Sequence, residues 1–264
     1  MRKQPLVSVI MNCHNCKQFL KKSISSVLKQ TYKNWELIFW DNNSTENIRK
    51  IISSFRDKRI KYYKSKKYSK LYKARNLAIK KAKGKYLSFL DADDWWLPSK
   101  LEKQINIFSK EPRVKLVYSN MISYFQKIKK KKYYAKNKLP SGFILNELIK
   151  NYQIGISSVI FNKSLMKKYK FNENYEIIGD LDFFIKISKK NIFKSIQEPL
   201  VYYRWHGKNF SHLKEIVHMK ELNHWIKRNR KLIKPSLYSY NSINMILLKM
   251  YIKHYFKRFL LNPN

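Results

Sequence analysis

Glycine is scarce in this chain: five in 264 residues, at Gly84, Gly142, Gly155, Gly179 and Gly207. Their spacing leaves neither a GxGxxG dinucleotide turn nor a GxxxxGK[ST] phosphate loop, so any bound nucleotide must be held another way. Cysteine is scarcer still. Cys13 and Cys16 are too few for a disulfide framework, which points to a reducing, cytoplasmic setting. No apolar run approaches the ~18 residues needed to cross a bilayer. Residues 6–11 are also too short for the hydrophobic core of a secretory signal, so the expectation is a protein neither exported by that route nor integral. Acidic residues are the remaining shortage: 17 Asp and Glu stand against 57 Lys and Arg, a formal net charge of +40.

What is present can build a core. Hydrophobic residues make up 44% and aromatics 15%, outside the low-hydrophobicity, high-charge pattern of disorder. The length suits one domain with appendages better than two equal domains. Lysine is spread along the whole chain beside Asn, Ile and Tyr, as coding bias in an AT-rich genome produces. Such a surface still attracts phosphate-bearing ligands and anionic membrane faces. The charge and the tyrosines also suggest a nucleic-acid-binding protein, but no recognised module for that role is present, and acidic clusters would repel a phosphate backbone. No nucleic-acid partner is therefore expected.

The first half alternates short apolar runs with amphipathic segments, the pattern of βαβ units on a mostly parallel sheet. Strands are predicted over 7–11, 35–40, 59–63, 86–90 and 114–118. Phe19, Leu20, Ile24, Val27 and Leu28 recur at helical spacing, and Ile48, Ile51, Ile52 and Phe55 mark a second helix capped by Ser44 or Thr45. A third helix covers 71–82 and stops at Gly84. Ser99 and Glu102 form a capping box for a helix carrying Leu101, Ile105 and Phe108. The Lys- and Tyr-rich stretch 127–138 reads as a solvated hairpin or loop, the most dispensable part of the core. Strands at 156–161 and 200–205 flank a helix at 181–188, and helices follow, broken at Pro235.

The few acids cluster. Asp91, Asp93 and Asp94 fill three of four consecutive positions at the end of the fourth strand. Carboxylates two apart at the carboxyl edge of such a sheet can hold Mg²⁺ or Mn²⁺, which in turn grips a diphosphate. A helix cap would need one carboxylate and leaves Asp91 unexplained. Cys13-His14-Asn15-Cys16 lies where a thioredoxin-like pair would sit, yet a dithiol gives Asp41, Asp91 and Asp93 no role, and one CxxC does not complete a tetrahedral zinc site.

Five ordered segments carry a resemblance. They are Val7-Ser8-Val9-Ile10-Met11-Asn12-Cys13-His14-Asn15, Gln30-Thr31-Tyr32, Trp35-Glu36-Leu37-Ile38 with Asp41-Asn42-Asn43-Ser44-Thr45, Ala74-Arg75-Asn76, and Phe89-Leu90-Asp91-Ala92-Asp93-Asp94. Together they resemble the successive motifs of the inverting family-2 glycosyltransferases over roughly residues 5–210. The resemblance implies a GT-A fold, α/β with a Rossmann-like, mostly parallel central sheet. It would be a domain over 1–210, with a nucleotide-binding half to about 120 and an acceptor half to about 210, followed by a helical extension over 211–264.

It further implies a nucleotide-sugar donor, a Mn²⁺ or Mg²⁺ cofactor, and transfer to a glycan or lipid-linked glycan in bacterial surface polysaccharide or lipooligosaccharide synthesis. Carried over residue by residue, Asp41 accepts a hydrogen bond from the pyrimidine N3–H, Arg75 contacts the nucleotide, Asp91 meets the ribose and Asp93 binds the metal. Asn15 lies on the pocket floor or caps the first helix. Gly179-Asp180-Leu181-Asp182 resembles the family's Glu-Asp-x-Asp segment, which makes Asp180 the catalytic base. Tyr203-Arg204-Trp205-His206 resembles its Tyr-Arg-x-His segment, with Arg204 on phosphate and His206 on metal or phosphate.

The chain departs from the pattern at Asn12-Cys13-His14-Asn15, at Asn42 and at Gly179. These departures leave room for a relative that binds sugar nucleotides without transferring them. In the last helix Tyr251, Tyr255 and Phe259 oppose Lys249, Lys253 and Lys257, the pattern of a helix in an anionic membrane interface or of one packed on the domain with its lysines in water.

Overall fold

The computed structural model describes residues 4–233, 247–248 and 250–252. Its centre is a nine-stranded sheet in the order β3-β2-β1-β4-β8-β6-β9-β5, with β7 paired to β6. The strands are β1 (Val7–Cys13), β2 (Trp35–Asp41), β3 (Ile60–Lys64), β4 (Tyr86–Phe89), β5 (Trp95–Trp96), β6 (Val114–Phe125), β7 (Lys130–Tyr133), β8 (Ile160–Asn162) and β9 (Ile192–Trp205). The block β3-β2-β1-β4 is parallel, as is β6 with β9, while β5, β7 and β8 run antiparallel to their neighbours.

The central strands are covered on both faces, and their sequences show it. Every residue of β2 is buried; Trp35, Leu37 and Phe39 enter one core while Ile38 and Trp40 enter the other, the two-sided burial of a doubly covered parallel sheet. Helices α1 (Lys17–Leu28) and α4 (Lys100–Lys110) pack on one face, and α3 (Leu71–Lys81) and α6 (Gly179–Ser188) on the other. The shorter α2 (Ile48–Ser53), α5 (Leu145–Lys150) and α7 (Phe210–Leu213) are followed or flanked by α8 (Glu215–Arg228) and α9 (Arg230–Ile233).

Several local expectations change. The cap of α2 is Asn47, whose side chain accepts from the Lys50 N–H; Ser44 and Thr45 are taken up by Asn15 instead. Ser99 stands at the N-cap of α4 without a side-chain bond, and the Glu102 carboxylate accepts from the Thr31 hydroxyl at 2.7 Å, so no capping box forms. Residues 156–158 form a 3₁₀ turn, and the strand begins at Ile160. Gly84 lies beyond the helix end, where a β-carbon would stand 2.6 Å from the Ser8 backbone nitrogen, so it serves a close approach to β1. The hairpin segment is less dispensable than its composition implied: β7 is exposed, but Ala135 and Leu139 are buried in the core.

Cys13 and Cys16 are joined by a disulfide, against the expectation from cysteine count. The turn between β1 and α1, with Asn15 at φ 52°, brings their Cα atoms to 5.7 Å, within reach of a bridge. At the other end of the chain, Leu247 is buried and Tyr251 packs against the core. Lys249, Lys253, Tyr255, Lys257, Phe259 and Pro235 lie outside the described residues.

Candidate active site

The carboxyl edge of β1, β2 and β4 gathers the expected residues. Asp41 closes β2, Asp91 to Asp94 follow β4, and the loop after β1 carries Asn15. Asp41 is fully buried. Its Oδ1 accepts from the Ser44 N–H at 2.8 Å and its Oδ2 from the Tyr62 hydroxyl at 2.6 Å. An ionised carboxylate offers about four acceptor positions, so capacity for a further donor remains. The Asn15 side-chain oxygen accepts from the Thr45 N–H at 3.0 Å. Asn15 thus ties the first loop to the second, and it is Cys16 that stands at the N-cap of α1.

Arg75 projects from α3 and pairs with Asp91, Nη2 to Oδ1, at 2.8 Å. Its side chain is 3% exposed and its Nε is buried without a partner. Desolvation in the cleft, opposed by Arg75 and reinforced by Asp93 and Asp180, raises Asp91 to about 6. Asp180, the second residue of α6, is brought to the same place. Burial raises its pKa, with Arg75 pulling the other way. Its Oδ1 faces the Tyr72 hydroxyl at 3.1 Å and accepts from the Leu181 N–H at 2.9 Å.

Asp93 and His206 converge from 113 positions apart, with Oδ2 and Nε2 separated by 3.0 Å. Phe19 flanks the imidazole, the ring centroids 4.6 Å apart. Arg204 donates from Nε to the Asp93 carbonyl at 2.7 Å and lies over the Phe19 and Trp95 rings, while its Nη2 is buried and unpartnered.

Sequence reasoning missed the residues that hold this arrangement. Asp94 accepts from the Arg204 backbone N–H at 3.0 Å and from the Ser157 hydroxyl at 2.7 Å, fastening the acidic turn to β9. Burial, together with Asp93 and Asp91, keeps its pKa well above the usual carboxylate range. Ser157 also receives the Asp91 N–H at 3.1 Å. Tyr62 and Tyr72 supply the hydroxyls on Asp41 and Asp180. None of these has a signal in spacing, except that Asp94 belonged to the acidic cluster.

The model of the glycosyl transferase family 2 matches residues 8–196. The chain belongs to that family. One relative is a UDP-Glc:alpha-D-GlcNAc-diphosphoundecaprenol beta-1,3-glucosyltransferase of Escherichia coli, WfgD, 37% identical over 166 residues, covering 63% of this chain and 64% of that protein. A second, WfaP of Escherichia coli, carries the same description and is 32% identical over 252 residues, 90% of this chain and 94% of that one. The crystal structure of S. aureus TarS 1-349 in complex with UDP matches with a TM-score of 0.61 at 19% identity, over 82% of this chain and 65% of that chain. It shares the fold, as the family-2 motifs implied. Among the described residues no helix is long and apolar enough to cross a membrane.

Proposed function

We propose that this family-2 glycosyltransferase moves a sugar, with inversion, from a UDP-linked donor to a hydroxyl of a lipid-linked glycan in bacterial surface-glycan synthesis. The approach of Asp93 to His206, beside Asp91, Arg75 and Asp180, carries the reading. The names of the two Escherichia coli relatives support the donor and acceptor classes.

A divalent cation fits the donor set. Adjacent ligands of an octahedral ion at ~2.1 Å stand ~3.0 Å apart, the separation of Asp93 Oδ2 and His206 Nε2. Among the described residues no group of three or more such side chains forms a closed cage, which suits an ion that completes its shell with diphosphate oxygens and water. Bound there, Mn²⁺ or Mg²⁺ would neutralise charge building on the departing diphosphate.

The chain's own groups do the rest. Asp41 accepts from the uracil N3–H, a donor that cytosine lacks. Arg75 holds Asp91 toward the ribose, and the free Nη2 of Arg204 turns to a phosphate oxygen. Asp180 takes the proton of the acceptor hydroxyl as that oxygen bonds to the anomeric carbon and the bond to the UDP oxygen breaks. A single displacement of this kind inverts the anomeric centre. An acceptor held in a membrane places the enzyme peripherally on the inner face of the cytoplasmic membrane, where its net charge of +40 favours anionic lipid.

Incubation with UDP-glucose, Mn²⁺ and a GlcNAc-diphosphoryl lipid tests the reading. A β-linked disaccharide product supports it. UDP-glucose left intact with every nucleotide-free acceptor and no UDP binding contradicts it.

A further inference from the structure

The wall beside Asp180 is built from phenols. Tyr72 comes from α3, Tyr134 directly follows β7 and Tyr152 follows α5, so three separate segments meet at this carboxylate, while Tyr203 on β9 faces Asp93 and Asp94 across the same cleft. The Tyr72 hydroxyl is 3.1 Å from Asp180, and the charge of Asp180 also acts on Tyr134 and Tyr152. Tyr203 joins through an edge contact with Tyr134, centroids 6.3 Å apart, and stacks edge-on to Trp205 at 5.4 Å.

Burial, reinforced by the neighbouring carboxylates, keeps these phenols protonated; Tyr134 is pushed up to about 12. At neutral pH they are uncharged O–H donors. Tyr72 is already committed, to Ile177 and Asp180. Tyr152 is not: its hydroxyl is buried with no hydrogen-bond partner, a state that buried polar groups seldom keep unless something else binds there. Tyr134 keeps 38% of its surface open. The cation acting on Asp180 is Arg75, and it is paired with Asp91.

We infer that Tyr134, Tyr152 and Tyr203 form the acceptor subsite and select an uncharged pyranose. The sugar ring lies against Tyr134, one ring hydroxyl accepts from Tyr152, and the hydroxyl to be glycosylated faces Asp180. This deepens the proposed function and rests on Asp180 as its base. An aromatic wall with a few placed donors is the usual means of holding a ring that has apolar C–H faces and polar edges. A uronic acid in the same place would bring a third negative charge beside Asp91 and Asp180, with Arg75 already neutralising the first.

Tyr152→Phe removes one hydroxyl and keeps the ring. With GlcNAc-diphosphoryl-alkyl as acceptor, the variant should raise the acceptor KM roughly tenfold and leave the UDP affinity unchanged. Tyr134→Leu should raise the acceptor KM likewise, and Tyr134→Phe should restore it. The glucuronosyl-diphosphoryl-alkyl analogue should be used at least about tenfold less efficiently by the parent enzyme. An unchanged acceptor KM in Tyr152→Phe overturns the inference, as does equal use of the glucuronosyl acceptor. A parallel loss of UDP affinity and acceptor KM overturns it too, since the tyrosines would then only support the fold. The parent's own UDP affinity, measured alongside, reports separately on the donor reading.

Discussion

A β-carbon on Gly179 would lie 2.5 Å from the ring of Tyr72. The aromatic ring therefore occupies the space that a side chain at that position would need, and the two residues specify each other. A larger side chain at position 179 would collide with that ring, and the Tyr72 hydroxyl reaches Asp180 directly, at 3.1 Å. Gly179→Ala should destabilise the fold by about 1–3 kcal/mol, the cost of overpacking a filled site. Thermal melting checks this, and the cost of Gly179→Ala should be smaller in a Tyr72→Leu background than in the parent.

Asp180→Asn keeps the shape of the cleft and removes the proposed proton acceptor. UDP binding should persist while transfer falls by about 10²–10⁴-fold. Because burial raises Asp180 above the ordinary carboxylate value, the acid limb of kcat/KM should fall at a pH above about 4. Single-turnover transfer with calorimetric UDP titration separates the two effects.

Asp91 gives a stability test with a definite sign. Its folded pKa is raised to about 6, so the folded state holds the proton more tightly than the unfolded chain does. Its contribution is fully present below the unfolded value and is lost as pH climbs through about 6. Asp91→Asn cannot ionise. In the ligand-free protein the Tm of this variant relative to the parent should therefore rise between about pH 4 and pH 7, and a pH-independent difference would refute the assignment.

Much of the fold was legible because burial on both sheet faces writes itself as apolar runs, as in β1 and β2. The candidate site was legible where scarcity made a pattern: Asp91, Asp93 and Asp180 stand out in a chain so poor in acids. What could not be read depended on chain segments meeting in space. Ser44 looks like a helix cap in sequence, but its hydroxyl accepts from the Asn15 N–H at 3.0 Å. Tyr134 and Tyr152 sit in stretches that look solvated or irregular, and only the packing of β7 and α5 brings them to Asp180. The Cys13–Cys16 bond likewise depends on the turn at Asn15, which no count of cysteines reveals.

The pairing of Asp93 with His206 is the centre of the account, and a calorimetric titration of UDP with and without Mn²⁺ tests it most directly. In the parent protein Mn²⁺ should tighten UDP binding at least about tenfold, and Asp93→Asn should abolish that gain, in line with the 10–100-fold effects of altering metal-site groups. The same Mn²⁺-linked tightening in Asp93→Asn would contradict it.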